Sequence, residues 1–206
     1  RRASGALEFA TDAPRANKQI VMTAIQADPN NLRFAARAMR ADAEVMVTAV
    51  RQNGHLLELA ETEMKAHKPV VLEAIRHTAK AVQFASAAMR ADEEVMLVAV
   101  RQEGSLLQLA EPEMKAHKPV VLAAIRQSPE ALQYASETMR ADKEVMLAAV
   151  RENGLLLELA GPEMKAHKRV VLEAVRQSPG ALRYASATLR ADKQVMMAAV
   201  KQGESI

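Results

Sequence analysis

Apolar residues recur along this chain in a fixed pattern that repeats every 25 positions. In the stretch ADKEVMLAAVRENGLLLELAGPEMK (141–165), the fifth, sixth, seventh, ninth and tenth positions are Val145, Met146, Leu147, Ala149 and Val150. On a helical wheel these cover an arc of roughly 200°, too wide for a helix with a single neighbour. A second apolar group follows at positions 16, 17, 19, 20 and 24, as in Ala131, Leu132, Tyr134, Ala135 and Met139. It predicts a second short helix. Neither group alternates with period two, so strands are excluded.

The units align without gaps as 16–40, 41–65, 66–90, 91–115, 116–140, 141–165 and 166–190, with a half unit at 1–15 and a partial unit at 191–206. Alternate units resemble each other most, which makes a 50-residue super-repeat of two unit types. The punctuation supports this. Asp42, Asp92, Asp142 and Asp192 stand where a helix N-cap is needed, followed by Glu44, Glu94 and Glu144 in the first turn. Asn53-Gly54 and Asn153-Gly154 predict a left-handed C-cap. Ser128-Pro129 and Ser178-Pro179 predict an N-cap with proline in the first turn. Pro112 and Pro162 predict an early end to the second helix, leaving a single turn at Met114 and Met164.

A helix of ten residues is only ~15 Å long and marginal alone. Its wide apolar arc must be covered by the units before and after it. The expected fold is therefore all-α: a right-handed-type α-solenoid of stacked short helical hairpins, one array over 1–206. Alanine recurs at unit position nine (Ala24 to Ala199) and at position 20 (Ala10 to Ala185), as close approach of successive layers requires.

Composition sharpens this picture. Half the chain is hydrophobic but only 2% is aromatic, and there is no Trp, which is unlike the aromatic-walled pocket of many enzymes. The absence of cysteine excludes disulfides, thiolate metal sites and cysteine nucleophiles. A net charge of +3 from 28 basic and 25 acidic residues describes a mixed, solvated surface. No apolar run approaches a membrane span. The chain begins Arg1-Arg2 and not with Met, so a targeting segment upstream is conceivable and the compartment, cytoplasmic or organellar, stays open.

Candidate chemistry dissolves into the repeat. His67, His117 and His167 share one position 50 residues apart, on the order of 20 Å in a stack of helices, so they cannot share a metal whose ligands lie within ~2.1 Å. They read as helix-start residues in the slot that Asp fills in alternate units. Two basic ladders, Arg51 to Arg176 and Arg40 to Arg190, invite a phosphate-tracking stripe. Both fall at helix C-termini, where cations offset the macrodipole, which is the simpler reading. The five aromatics, Phe9, Phe34, Phe84, Tyr134 and Tyr184, share one position expected to face the core, leaving none to stack a base. Methionines at two repeat positions (Met39 to Met164, Met46 to Met196) read as core filling. There is no phosphate loop, nucleophile motif or close catalytic pair. No cofactor or metal is expected.

The unit D-x-E-V-M-L-x-A-V-R-x-N-G-x-L-L-x-L-A, best kept in 91–115 and 141–165, resembles an uncharacterised tandem helical-repeat family catalogued as a domain of unknown function, found in some bacteria, protists and microalgae. The resemblance covers 16–200; Pro14 departs from it in the first half unit. It implies the fold and carries no activity or site residues. By analogy with other helical solenoids, it implies protein binding.

The expected function is a non-enzymatic protein-interaction scaffold or accessory subunit of a larger assembly. A nucleic-acid-binding array, and a peripheral subunit of an organellar membrane complex such as a plastid one, are the alternatives. The candidate contact surface is the variable slot His55, Lys80, Ser105, Glu130 and Leu155. To it is added Val195, Met196, Met197 and Val200 in the last layer, where the inward pattern persists with no following second helix, so that a partner, another copy or further chain would cover it.

Overall fold

The computed structural model describes residues 5–203, and side chains as far as Lys201. Residues 1–4 and 204–206, including the Arg1-Arg2 start, lie outside the described residues. Among the described residues there is helix and turn but no strand. The fold class is an all-helical repeat of the solenoid type. Contacts between Cα atoms group the chain into two compact units, residues 1–102 and 103–206.

Every repeat is built in the same way. In 141–165 the side chain of Asp142 accepts hydrogen bonds from the Glu144 and Val145 amides, at 2.9 and 3.0 Å, and so opens the helix Lys143–Glu152. Asn153 is extended and its side chain accepts from the Leu155 amide, starting a six-residue 3-10 helix, Gly154–Leu159. Ala160 is again extended, and a single helical turn, Pro162–Lys165, completes the layer.

The second helix expected from the sequence is thus two pieces. Where an α-helix would carry on, the extended alanine at position 20 turns the next amide towards the preceding layer. The Gly161 amide donates to the Arg140 carbonyl (3.1 Å), Ser136 to Lys115 (2.9 Å), Ser86 to Lys65 (2.9 Å) and Glu61 to Arg40 (3.2 Å). One backbone bond between layers therefore replaces one within a helix, and backbone satisfaction is kept. The single turn expected near Met114 and Met164 recurs in every layer, with or without proline.

The left-handed cap expected at Asn53-Gly54 and Asn153-Gly154 is absent. Among the described residues positive φ is confined to Gly5, at 88°. Glycine is needed at Gly54, Gly104 and Gly154 for space: a Cβ there would lie well inside contact distance of the carbonyl oxygen of Ala74, Ala124 and Ala174, in the following layer. The fully buried alanines at position nine supply the other half of that approach. Pro129 and Pro179 do open their 3-10 helices, but the Ser128 and Ser178 side chains make no cap bond.

These glycines explain the alternation of unit types. From a layer whose 3-10 helix opens with Gly54, Gly104 or Gly154 to the next, backbones meet closely, and Gln177 accepts from the Gly154 amide (2.6 Å), as Gln127 does from Gly104. From the other type to the next, the link is made by side chains. Gln52 and Gln102 donate to the carbonyls of Ile25 and Ile75, both at 2.9 Å. Lys18, Lys68, Lys118 and Lys168 reach the capping carboxylates of Asp42, Asp92, Asp142 and Asp192 at 2.8–3.1 Å. The core runs between the long helices and the 3-10 helices. Val45, Met46, Ala49, Val50 and Leu57 are fully buried, as are their counterparts Val145, Met146, Ala149, Val150 and Leu157.

Candidate interaction surfaces

The helix-start slots hold two kinds of residue. Asp42, Asp142 and Asp192 each cap two amides, and Asp92 caps Val95. Burial alone would raise the Asp42, Asp92 and Asp142 carboxyls. The lysine and amide bonds outweigh it, and all three are held below the usual carboxylate range. Asp192 is held low first by Lys168. Conversely Lys18, Lys68 and Lys118 are raised, chiefly by Glu44, Glu94 and Glu144. His67, His117 and His167 occupy the equivalent N-cap position, as expected, but provide no side-chain cap; Nδ1 of His67 and of His167 is buried without a hydrogen-bond partner.

Both basic ladders end helical segments, as expected from the macrodipole. In residues 1–102 a carboxylate takes up two members of the first: Glu73, mostly buried, lies 2.7 Å from Arg51 and 3.6 Å from Arg76 and His77. Arg51 chiefly holds Glu73 below its ordinary value. Alanine stands at this position in Ala123 and Ala148.

Among the described residues, shallow grooves lie along the long helices, three of them as follows. One lies between Lys68–His77 and Glu93–Gln102, where Lys68 and Arg101 face Asp92, Glu93 and Glu94. Another, of about 460 Å³, lies between Lys118–Gln127 and Lys143–Glu152, where five cationic side chains face two carboxylates over a floor of Leu122, Leu147 and Ala148. The third lies between Lys168–Gln177 and Lys193–Gly203, with Arg176 and Lys201 beside Met197. Among the described residues no three His, Asp or Glu side chains come together as a metal would require, and no helix is long and apolar enough to cross a membrane.

The variable slot expected at the surface lies at the start of the 3-10 helices. His55, Lys80, Glu130 and Leu155 are exposed and Ser105 half-buried. His55 stands edge-on to Phe84, with ring centroids 6.3 Å apart, and Leu155 lies over Gly180. In the last described helix Met196, Met197 and Val200 are 39%, 48% and 50% exposed, forming an apolar face. Val195 departs from the expectation: it is fully buried, on the side of the helix turned to the preceding layer.

The aromatics also depart from it. Phe34, Phe84, Tyr134 and Tyr184 are half-buried, and Phe9 is 87% exposed. A helix of three residues per turn buries positions 16, 17 and 20 and leaves position 19 at the rim, where an α-helical wheel had placed it in the core. Of the methionines, Met46, Met96 and Met146 fill the core completely, Met64, Met114 and Met164 nearly so, and Met39, Met89 and Met139 are half-buried.

Asn31 is a feature that the periodic reading passed over. It is 1% exposed at a position held elsewhere by Leu or Ala. Its amide donates to the carbonyls of Ala24 (3.0 Å) and Asp28 (3.1 Å), and its oxygen accepts from the Leu7 amide (3.4 Å), tying the first layer to the second. The signal was the lone polar residue in an apolar column.

A family model described as a domain of unknown function (DUF4116) matches residues 17–65, 67–115, 117–165 and 167–206. The chain belongs to this family. No curated protein and no solved structure matches it. The family's repeat is the 50-residue one, and each copy opens at or beside a helix N-cap: Asn17, His67, His117 or His167. One copy thus encloses one side-chain-mediated joint with its Lys–Asp pair, and the copies at 67–115 and 167–206 each enclose a groove, while the groove of the copy at 117–165 also takes in Arg169 of the next copy.

Proposed function

We propose that this DUF4116 chain is a non-enzymatic protein-interaction scaffold, an accessory part of a larger protein assembly. The observation that carries this reading is the division of labour between positions. Core and inter-layer backbone bonds repeat from layer to layer, and the glycines and aspartate caps in alternate layers, whereas the slot at the start of the 3-10 helices carries His55, Lys80, Ser105, Glu130 and Leu155 in turn. A frame that repeats while its exposed slot varies is how helical arrays present a specific surface. The apolar face of Met196, Met197 and Val200 is a second contact surface in this reading.

The test is affinity capture from an extract of the source organism with the immobilised chain. It is run beside a variant carrying His55→Ser, Lys80→Ser, Glu130→Ser and Leu155→Ser. The wild-type chain is expected to retain a defined set of proteins that the variant, with unchanged helical circular dichroism, loses. Identical retention by both, or retention of nucleic acid in place of protein, would overturn the reading.

A further inference from the structure

We infer that the groove between Lys118–Gln127 and Lys143–Glu152 docks a short acidic segment of a partner protein whose alternate side chains are aliphatic. The inference rests on the scaffold reading above and gives it a place and a chemistry.

The geometry supplies both halves of the recognition. Leu122, Leu147 and Ala148 form an apolar floor. Lys118 is occupied by Asp142 and Glu144, at 3.1 and 2.7 Å. The other four cations, Arg126, Lys143, Arg151 and Arg169, make no ion pair among the described residues. Their freedom comes from specific replacements. In residues 1–102 Glu73 pairs with Arg51 of the preceding layer and with Arg76 of its own helix; Ala148 and Ala123 stand in those two places for Arg126, and Ala148 in the same-helix place for Arg151. Glu173 holds the Glu73 position in its own layer, yet it makes no ion pair with Arg151 or Arg176. Lys143 stands where the corresponding groove has Glu93, and Arg169 where two other layers have Pro69 and Pro119. Arginine that is not engaged within the fold is the side chain best suited to a bidentate grip on a carboxylate.

The same features favour a peptide over a polynucleotide. No aromatic side chain lines the groove to stack a base. Asp142 and Glu144 lie in its wall and repel a continuous run of phosphates, while spaced carboxylates can avoid them. A groove along a ten-residue helix is ~15 Å long and takes about five extended residues.

The experiment titrates the full chain into a fluorescein-labelled peptide of about eight residues with alternating Glu and Leu, followed by anisotropy at roughly 0.15 M salt. The comparison variant is Lys143→Glu with Arg169→Pro, residues that equivalent positions of the same chain already carry, so the fold accepts them. The control is Arg33→Glu with Arg183→Gln, an equal change of charge outside the groove that likewise borrows residues from equivalent positions (Glu58, Gln83). The groove variant is expected to weaken binding roughly tenfold, and the control by less than about twofold. Three results overturn the inference: no binding by the unaltered chain, equal weakening in both variants, or labelled single-stranded DNA binding more tightly than the peptide and being lost in the groove variant. If the peptide fails while the capture experiment still depends on the variable slot, the scaffold reading stands and the groove assignment falls.

Discussion

A single added methyl group has opposite consequences at Gly154 and at Gly180. A Cβ at Gly154 would collide with the backbone carbonyl of Ala174 and lie 3.0 Å from the Ser178 Cβ, neither of which can swing aside as a flexible side-chain end could. Gly180 has open space, its would-be Cβ 3.8 Å from a Leu155 methyl. Gly154→Ala is therefore expected to cost about 1–3 kcal/mol, the usual range for overpacking. Gly180→Ala is expected to be neutral or slightly stabilising, because it narrows the unfolded ensemble. Urea unfolding of both variants checks this; equal stabilities would mean that the close approach is not what selects glycine. The sequence placed Gly54 and Gly154 between the two halves of a unit, where they stand, but expected there a left-handed cap that is absent. The reason for glycine was not legible, because Gly54 or Gly154 meets a carbonyl 20 residues away that no local pattern reveals.

At the scale of the element, the layer's second half is decided by where one amide points. Position 21 donates across to the preceding layer, whereas position 22 begins a short turn and has no such duty. Proline stands at position 22 in Pro112 and Pro162, and at 21 in no layer. Ser136→Pro is expected to destabilise by about 3 kcal/mol, close to the cost of proline in a helix interior, while Glu137→Pro leaves the melting temperature within about 2 °C. Ser136→Ala separates the loss of the side-chain cap on Met139 from the loss of the amide. Thermal unfolding of the three variants is the measurement, and equal effects of the two prolines would remove the inter-layer bond from the account. The apolar pattern at positions 16 to 24 located this half of the layer correctly. It could not distinguish one α-helix from a 3-10 helix and a turn, since both bury positions 16, 17 and 20; the rim location of Phe84 and Tyr134 followed from that choice.

Over the whole molecule, the Lys–Asp pairs recur once per family repeat, so their response to pH adds up. Asp42, Asp92, Asp142 and Asp192 are lowered from 3.8, so each contributes stability that is present above that value and is lost as pH falls through the lower folded-state pKa. Lys18, Lys68 and Lys118 are raised from 10.5; their contribution holds below it and disappears as pH rises through the higher folded value. A stability plateau between about pH 5 and 10 is expected, with melting temperature falling on either side. Asp142→Asn keeps an N-cap of similar strength, so its loss at neutral pH should be under about 1 kcal/mol and should vanish in acid. Melting curves across pH for the two proteins test this, and an unchanged difference at pH 2 would show that the carboxylate's charge is not involved.

The sequence by itself determined the period of 25, the 50-residue alternation, the buried alanine and valine columns and the aspartate caps. The caps and columns follow from local hydrogen bonding and from the apolar arc of a ten-residue helix, both written within one unit, and the alternation from setting one unit against the next. Only the tertiary structure decided how each layer meets the next: glycine against carbonyl at one joint, lysine against aspartate at the other. It alone separated the buried Val195 from the exposed Met196, Met197 and Val200, and left Arg151 unpaired with Glu173 where Arg51 pairs with Glu73. The physical reason is that such contacts join residues about 20 to 25 positions apart, a separation at which composition and periodicity are the same whether or not two side chains touch.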